Sequence, residues 1–239
     1  MNPSSREGKK NYGHTRDSNS FACPARLRPA VREMTAMSVA ATFRLRPAES
    51  SLLVIDVQEK LLPAIAETPR LLLNIGFLLE TARLVDVPTI ATEQYPAGLG
   101  GTAAVLAERL PAERPAKLDF SCCGVPNLVA RFRQGGRSSV VLCGIETHVC
   151  VLQTALDLCD AGLNVAVAAD AVAGRLALDH ELALRRMERA GALVTTCETI
   201  TFEWLGTAAA PQFRAISGLI RQRSKALDGL TTSGRSHGK

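Results

Sequence analysis

The stretch CGIETHVCVLQTALDLC, residues 143 to 159, constrains what this chain can fold into more than any other. Ahead of the turn, Val140, Val141 and Leu142 are too few and too β-branched for a free helix, so we read a strand buried on both faces. Gly144 permits a tight turn after it. From Thr147 the apolar positions Val149, Leu152, Leu156 and Cys159 recur at three- and four-residue spacing, as in a helix that lays one stripe on a sheet. Thr147 is the expected N-cap. Cys150 then falls in the first turn, where unpaired N–H groups and the positive end of the helix dipole favour a thiolate. A free cysteine is ordinarily a small buried hydrophobe. At a strand-to-helix junction, where open α/β sheets bind their ligands, it is also a candidate nucleophile.

The same rhythm runs along the chain. SLLVIDV at 51 to 57 is an apolar run ending in Asp56, the pattern of a buried central strand whose end reaches a site; a salt-bridged or loop-capping Asp would read the same way. RLLLNIGFLLETARLV at 70 to 85 is an apolar helix stopped by Pro88, and TIAT gives a second strand. EQYPAGLGGT is a turn-rich loop in which Gly98, Gly100 and Gly101 either make turns or let backbone approach a ligand. After a short helix around AVLAERL, the segment PAKLDFS reads as a third strand carrying Lys117, which needs a partner, a cavity or an edge position from which to snorkel. A helix at 125 to 134 leads into the Cys150 strand. LNVAVAAD, HELALRRMERAG and ALVTTC then continue strand, helix and strand, with two helical segments to about residue 223. Six alternations of strand and helix predict an α/β domain with a mainly parallel sheet covered on both faces.

The net charge of +5 and pI near 9.0 raise the question of a nucleic-acid partner. The location of the charge answers it. Residues 1–48 hold 9 basic and 3 acidic side chains and residues 221–239 hold 5 and 1, leaving 14 basic against 19 acidic between them. Basic tails flank an acidic domain, and no nucleic-acid partner is expected. We read 1–48 as a disordered basic extension, 49–223 as the domain and 224–239 as a disordered tail. The first of these also reads as a mitochondrial transit segment, or as an overlong start with Met34 or Met37 the first residue. The seven cysteines, Cys23, Cys122, Cys123, Cys143, Cys150, Cys159 and Cys197, form no CxxC pair, which points to free thiols in a reducing compartment such as the cytoplasm. No run of about 18 apolar residues is present, so no membrane span is expected.

Asp56, Lys117 and Cys150 thus stand at or near the ends of separate strands, a coherent set of carboxylate, ammonium and thiol. Through LLVIDVQ at 52 to 58, the Lys of KLDFS at 117 to 121 and GIETHVCVLQTALDL at 144 to 158, the chain resembles the isochorismatase-like cysteine hydrolases over roughly residues 50 to 215. ADAV at 169 to 172 and ELALRRMERAGALVTTCET resemble that family as well. The resemblance implies a three-layer α/β/α sandwich of Rossmann-like topology, with an Asp-Lys-Cys triad at Asp56, Lys117 and Cys150. It implies a thioester acyl-enzyme formed from a small amide. It implies an oxyanion hole from the N–H groups of Glu146 and Cys150, with a cis bond between Ile145 and Glu146. A Thr147 cap bonded to the Cys150 N–H would compete with that hole. A homo-oligomer is likewise expected from the resemblance alone.

One departure from the family pattern is informative. The nicotinamidase branch binds a metal through an Asp and His pair after the second strand, where this chain has Thr92, Glu93, Gln94, Tyr95 and Pro96. No metal and no other cofactor is therefore expected. Gln94 and Tyr95, with Gln58 and with Phe120 as an apolar wall, are expected to shape a pocket for a small polar substrate, unless the first two merely close the loop. The readings that remain are a metal-independent cysteine amidohydrolase, a hydrolase of another small ester or thioester, and a catalytically idle scaffold of the same fold.

Overall fold

A computed structural model describes residues 43–235. Its centre is a six-stranded, all-parallel sheet in the order β3-β2-β1-β4-β5-β6. The strands are β1 (Ser50–Ile55), β2 (Thr89–Gln94), β3 (Ala116–Lys117), β4 (Ser139–Ile145), β5 (Asn164–Ala173) and β6 (Leu193–Thr195). The helices are α1 (Thr68–Leu84), α2 (Pro96–Leu99), α3 (Ala104–Ala107), α4 (Leu128–Arg133), α5 (Leu152–Asp160), α6 (Ala177–Arg189), α7 (Cys197–Leu205) and α8 (Phe213–Arg235). From β1 the chain builds outward to β3 on one side, then returns to lay β4, β5 and β6 on the other. The crevice between the ends of β1 and β4 is the switch point at which such sheets hold ligands.

Alternation along β1 explains the two covered faces. Leu52 and Val54 point into a core with Leu71, Ile75 and Leu78 of α1 and with Ile200 and Trp204 of α7. Leu53 and Ile55 point the other way, into a core with Phe132 of α4, Ala155 of α5 and Met187 of α6. Every residue of β1 and of β4 is buried, and past their opening serines the apolar residues run consecutively rather than alternating. Each large aliphatic side chain so buried contributes roughly 1.5–3 kcal/mol. The layering expected from the sequence is therefore the layering observed.

Two boundaries differ from expectation. Residues 43–48 are part of the fold, because Leu45 is fully buried and its N–H donates to Glu203 Oε2 at 2.7 Å, while Trp204 Nε1 reaches Ser50 Oγ at 3.1 Å. At the other end, α8 continues through 224–235 instead of fraying. Ile216 is fully buried and Leu219 and Ile220 pack on the α1 core, and Arg223 is held by Asn74 Oδ1, Asp170 Oδ2 and Glu198 Oε2 at 2.8, 2.6 and 3.4 Å. Once the first half is fixed by packing, each further residue extends the helix without a new nucleation cost. Expectations about 1–42 and 236–239, Cys23 included, lie outside the described residues. No helix among the described residues is long and apolar enough to cross a membrane.

Candidate active site

The strands deliver the three side chains to one place. β1 ends at Ile55 and Asp56 follows with φ of 51°, a left-handed conformation that Asp tolerates better than most residues. Its N–H donates to the Thr92 carbonyl at 3.2 Å, which pins the turn to β2. β3 pairs with β2 so that Lys117 lies beside Gln94 and its side chain, 1% exposed, turns inward. Its ammonium lies 2.7 Å from Asp56 Oδ2, in a fully buried ion pair. The ammonium also donates to Gln94 Oε1 at 2.6 Å and to the carbonyls of Phe120 and Asp119 at 3.0 and 3.2 Å. Burial works against the charge of Lys117, but Asp56 and the neighbouring thiols outweigh it, and the group is held above its ordinary pKa.

Cys150 arrives from β4. Gly144 has φ of 119° and lies opposite Ile55 in the β1–β4 pairing, where a Cβ would overlap the Ile55 backbone. Only glycine fits this approach. The β4–β5 register shifts between Leu142 and Gly144, an irregularity that re-aims the strand end toward the site. The Ile145–Glu146 peptide is cis. Thr147–Val151 then forms a π turn rather than the first turn of an α-helix, and α5 begins only at Leu152.

Two expectations about this turn are corrected. Thr147 is not an N-cap: its Oγ1 is 2.9 Å from His180 Nδ1, and Glu146 occupies the cap position without a side-chain bond. The competition between a Thr147 cap and an oxyanion at the Cys150 N–H therefore does not arise. The Glu146 carbonyl takes the Val149 and Val151 N–H groups at 3.0 and 3.3 Å and passes over the one between them. The second correction concerns the thiol, which is not a depressed-pKa thiolate. Burial first, then the negative charge of Asp56, push Cys150 up to about 12 against the opposing pull of Lys117. Asp56 is also the hydrogen-bond partner toward which the neutral thiol is directed. The site thus rests with its sulfur protonated and a carboxylate facing it.

The four proposed pocket residues fare differently. Gln58 is fully buried with its amide occupied: Nε2 donates to the carbonyls of Gln94 and Gly100 at 3.0 and 2.6 Å, and Oε1 accepts the Gln94 N–H at 2.7 Å. It ties the loop after β2 to the start of the chain beyond Asp56, with both of its amide protons given to backbone carbonyls. Gln94 is occupied too, between Lys117 and the Leu118 carbonyl at 2.8 Å, so it holds the ammonium instead of lining a pocket. Tyr95 has φ of 37°, is half exposed, and lays its ring against Gly98, closing the loop. Phe120 contributes its carbonyl to Lys117, while its exposed ring borders a shallow depression of about 520 Å³ beside Leu118 and Gln153. Among the described residues no three or more His, Cys, Asp or Glu side chains converge as metal donors would.

Sequence reading missed Thr92 and Cys122. Thr92 donates to Asp56 Oδ1 at 2.9 Å, and Cys122 is fully buried with its sulfur 3.4 Å from Thr92 Oγ1. The available signal was the position of Thr92 at the close of the TIAT segment, which the β1–β2 pairing sets opposite Ile55, the residue before Asp56.

Buried neutral thiols give the domain an alkaline weakness. Burial holds Cys122 up at about 11 and Cys150 at about 12, and raises Cys143 and Cys197 as well. A folded pKa above the unfolded one stabilises fully below the unfolded value near 9.0 and is lost as pH climbs from there toward the folded value. We expect the denaturant midpoint, measured under reducing conditions, to be flat from pH 7 to 8.5. Above pH 9 unfolding should become easier by roughly 1.4 kcal/mol per pH unit for each such thiol. Equal midpoints at pH 8 and pH 10.5 would contradict this, and Cys143→Ala should soften the decline.

Comparison with known proteins finds a matching family, two similar proteins and a further structure of the same fold. Residues 50–199 match the family model described as Isochorismatase domain. The mouse isochorismatase domain-containing protein 2A is 42% identical over 183 residues, covering 75% of this chain and 86% of its own. A solved structure described as MAR1 ribonuclease from Caenorhabditis elegans is 40% identical, with a TM-score of 0.70 over 74% of this chain and 92% of its own. The YcaC gene product of Escherichia coli, described as an octameric hydrolase of unknown specificity, shares the fold with a TM-score of 0.72 at 23% identity, over 81% of this chain and 97% of its own.

Proposed function

Because the chain belongs to the isochorismatase domain family, we propose that it is a cysteine hydrolase that cleaves the C–N bond of a small amide, with Asp56, Lys117 and Cys150 as its catalytic groups. The observation that carries this reading is the buried Lys117–Asp56 pair, 2.7 Å apart, set against the Cys150 thiol. Asp56 takes the thiol proton as sulfur attacks the carbonyl carbon, and the oxyanion is met by the N–H groups of Glu146 and Cys150. Asp56 returns the proton to the departing nitrogen and ammonia leaves a thioester on Cys150. Water then gives its proton to Asp56 and attacks the thioester, and the sulfur leaves with that proton. Lys117 keeps its charge throughout, holding the carboxylate in place and offsetting the anionic stages.

A buried ion pair is weak evidence for stability, since apolar replacements of equal volume are often no worse. Its presence beside a nucleophile therefore supports a chemical task over an idle scaffold. The fully enclosed Asp56 and Lys117 favour a small substrate over a polynucleotide strand. We also take the protein to be a cytoplasmic homo-oligomer: the free thiols among the described residues support the first and family membership alone the second.

The test is a panel of small primary amides, esters and one short single-stranded RNA, with ammonia release and protein mass read after dialysis against a strong chelator. At least one amide should release ammonia at an undiminished rate, with an acyl adduct on Cys150 that hydroxylamine removes as a hydroxamate. Adducts from esters alone would move the activity to ester hydrolysis, and RNA cleavage without any adduct would overturn the thioester mechanism. Activity lost with the metal and regained with zinc or iron would restore a metal-dependent reading.

A further inference from the structure

Asp56 is held by more than the lysine. Oδ2 faces the Lys117 ammonium from β3, and Oδ1 accepts the Thr92 hydroxyl from β2 at 2.9 Å. Two donors from two strands fix the plane of the carboxylate. Thr92 has one hydroxyl proton, and the carboxylate takes it, so the Cys122 S–H must be the donor across the 3.4 Å between Cys122 Sγ and Thr92 Oγ1. Cys122 is itself anchored, because its N–H donates to Thr154 Oγ1 at 2.9 Å and Thr154 lies one turn beyond Cys150. All three members, Thr92, Cys122 and Thr154, are 0% or 1% exposed, so no water competes for these bonds.

We propose that Thr92 is the positioning residue of the base, and that Cys122 fixes its hydroxyl so that a one-way donor chain, Cys122 to Thr92 to Asp56, keeps the carboxylate oriented toward Cys150. The proposal rests on the thiol-nucleophile reading and adds two residues to it. Its logic is directional. A donor chain that ends on a carboxylate stabilises the anionic form, and removing it makes the carboxylate easier to protonate. The charged and titratable groups that face Asp56 are Lys117 from β3, Cys122 from the turn before α4 and Cys150 from the π turn. Of these, Cys122 stays protonated near neutral pH because burial holds it at about 11, so it remains a donor.

The experiment is the pH profile of carbamidomethylation of Cys150 by iodoacetamide, with the modified residue located by mass spectrometry. Alkylation needs Asp56 free to receive the thiol proton, so the rate falls on the acidic side. In Thr92→Val this acidic limb should move upward by about one pH unit or more, giving a rate at a fixed pH on the limb roughly 10- to 100-fold below wild type, the size expected for losing a hydrogen bond to a charged group. Thr92→Ser should bring it back to within about threefold, because the hydroxyl is restored. Cys122→Ala should shift the limb in the same direction by less, and Cys122→Ser should not shift it. A Thr92→Val profile that overlays wild type, or a Thr92→Ser profile no better than Val, overturns the proposal. If Thr92→Val does not fold, identical profiles for Cys122→Ala and Cys122→Ser overturn it instead. Failure of the underlying reading looks different: the wild-type Cys150 profile would then have no acidic limb at all, its alkylation rising only toward the range of a buried thiol at about 12.

Discussion

Replacing Cys150 with alanine should leave a folded protein and no turnover. The side chain is small and 6% exposed, and Asp56 keeps Thr92 and Lys117 as partners without it, so thermal midpoints should agree within a few degrees. Ammonia release from whichever amide the wild type accepts should drop roughly 10⁴-fold or more, the range seen when a covalent nucleophile is removed. Cys150→Ser should recover little, since a hydroxyl is a far weaker acid than a thiol and a carboxylate is a poor base for it. A Cys150→Ala variant keeping a tenth of the wild-type rate would end the covalent mechanism, whatever the substrate proves to be.

Lys117→Met should act chiefly on stability, and strongly. The substitution preserves volume but leaves Asp56 buried beside nothing positive, and strips a donor from Gln94 Oε1 and the Phe120 carbonyl. Breaking a buried pair by removing one partner costs about 3–5 kcal/mol, because the remaining charge has lost both water and its counter-ion. We expect an unfolding free energy lower by about that amount in urea, together with loss of activity. Asp56→Asn in the same chain should return much of the stability and none of the activity, since the uncompensated charge is gone but so is the base. A single Lys117→Met variant within 1 kcal/mol of wild type would mean that the pair is solvated in a way its burial excludes.

Much of this architecture could be read from the residues, for a physical reason. β1 and β4 are buried on both faces, so after their opening serines each carries consecutive apolar residues, and the Asp56 that follows the first stands out against it. Glutamine offered no such contrast. At the end of a strand the amides of Gln58 and Gln94 have the same donors and acceptors to give a backbone or a lysine as to a substrate, and only the fold decides which they meet. Cys150 misled in another way. Its place near a helix start suggested a thiolate, but burial and the facing Asp56 act in the opposite sense and are stronger. Thr147 looked like a cap because the following residues have helical spacing; the π turn and His180 gave its hydroxyl a different partner. The last 12 residues of α8 were hidden by their polar composition, since an anchored helix can propagate through residues that would never start one.

The resting charge of the crevice bears on how a molecule reaches it. One carboxylate and one ammonium, 2.7 Å apart and sealed from solvent, sit beside a sulfur that keeps its proton, so the catalytic groups present a tight dipole with no monopole. A dipole of that length has faded within a few ångströms of the surface, well inside the screening distance of about 8 Å at physiological ionic strength. These groups by themselves therefore neither pull anions in nor hold cations off from afar. A neutral molecule meets it by unassisted diffusion, added salt leaves the encounter rate unchanged, and selection among candidates falls wholly to contacts made after arrival.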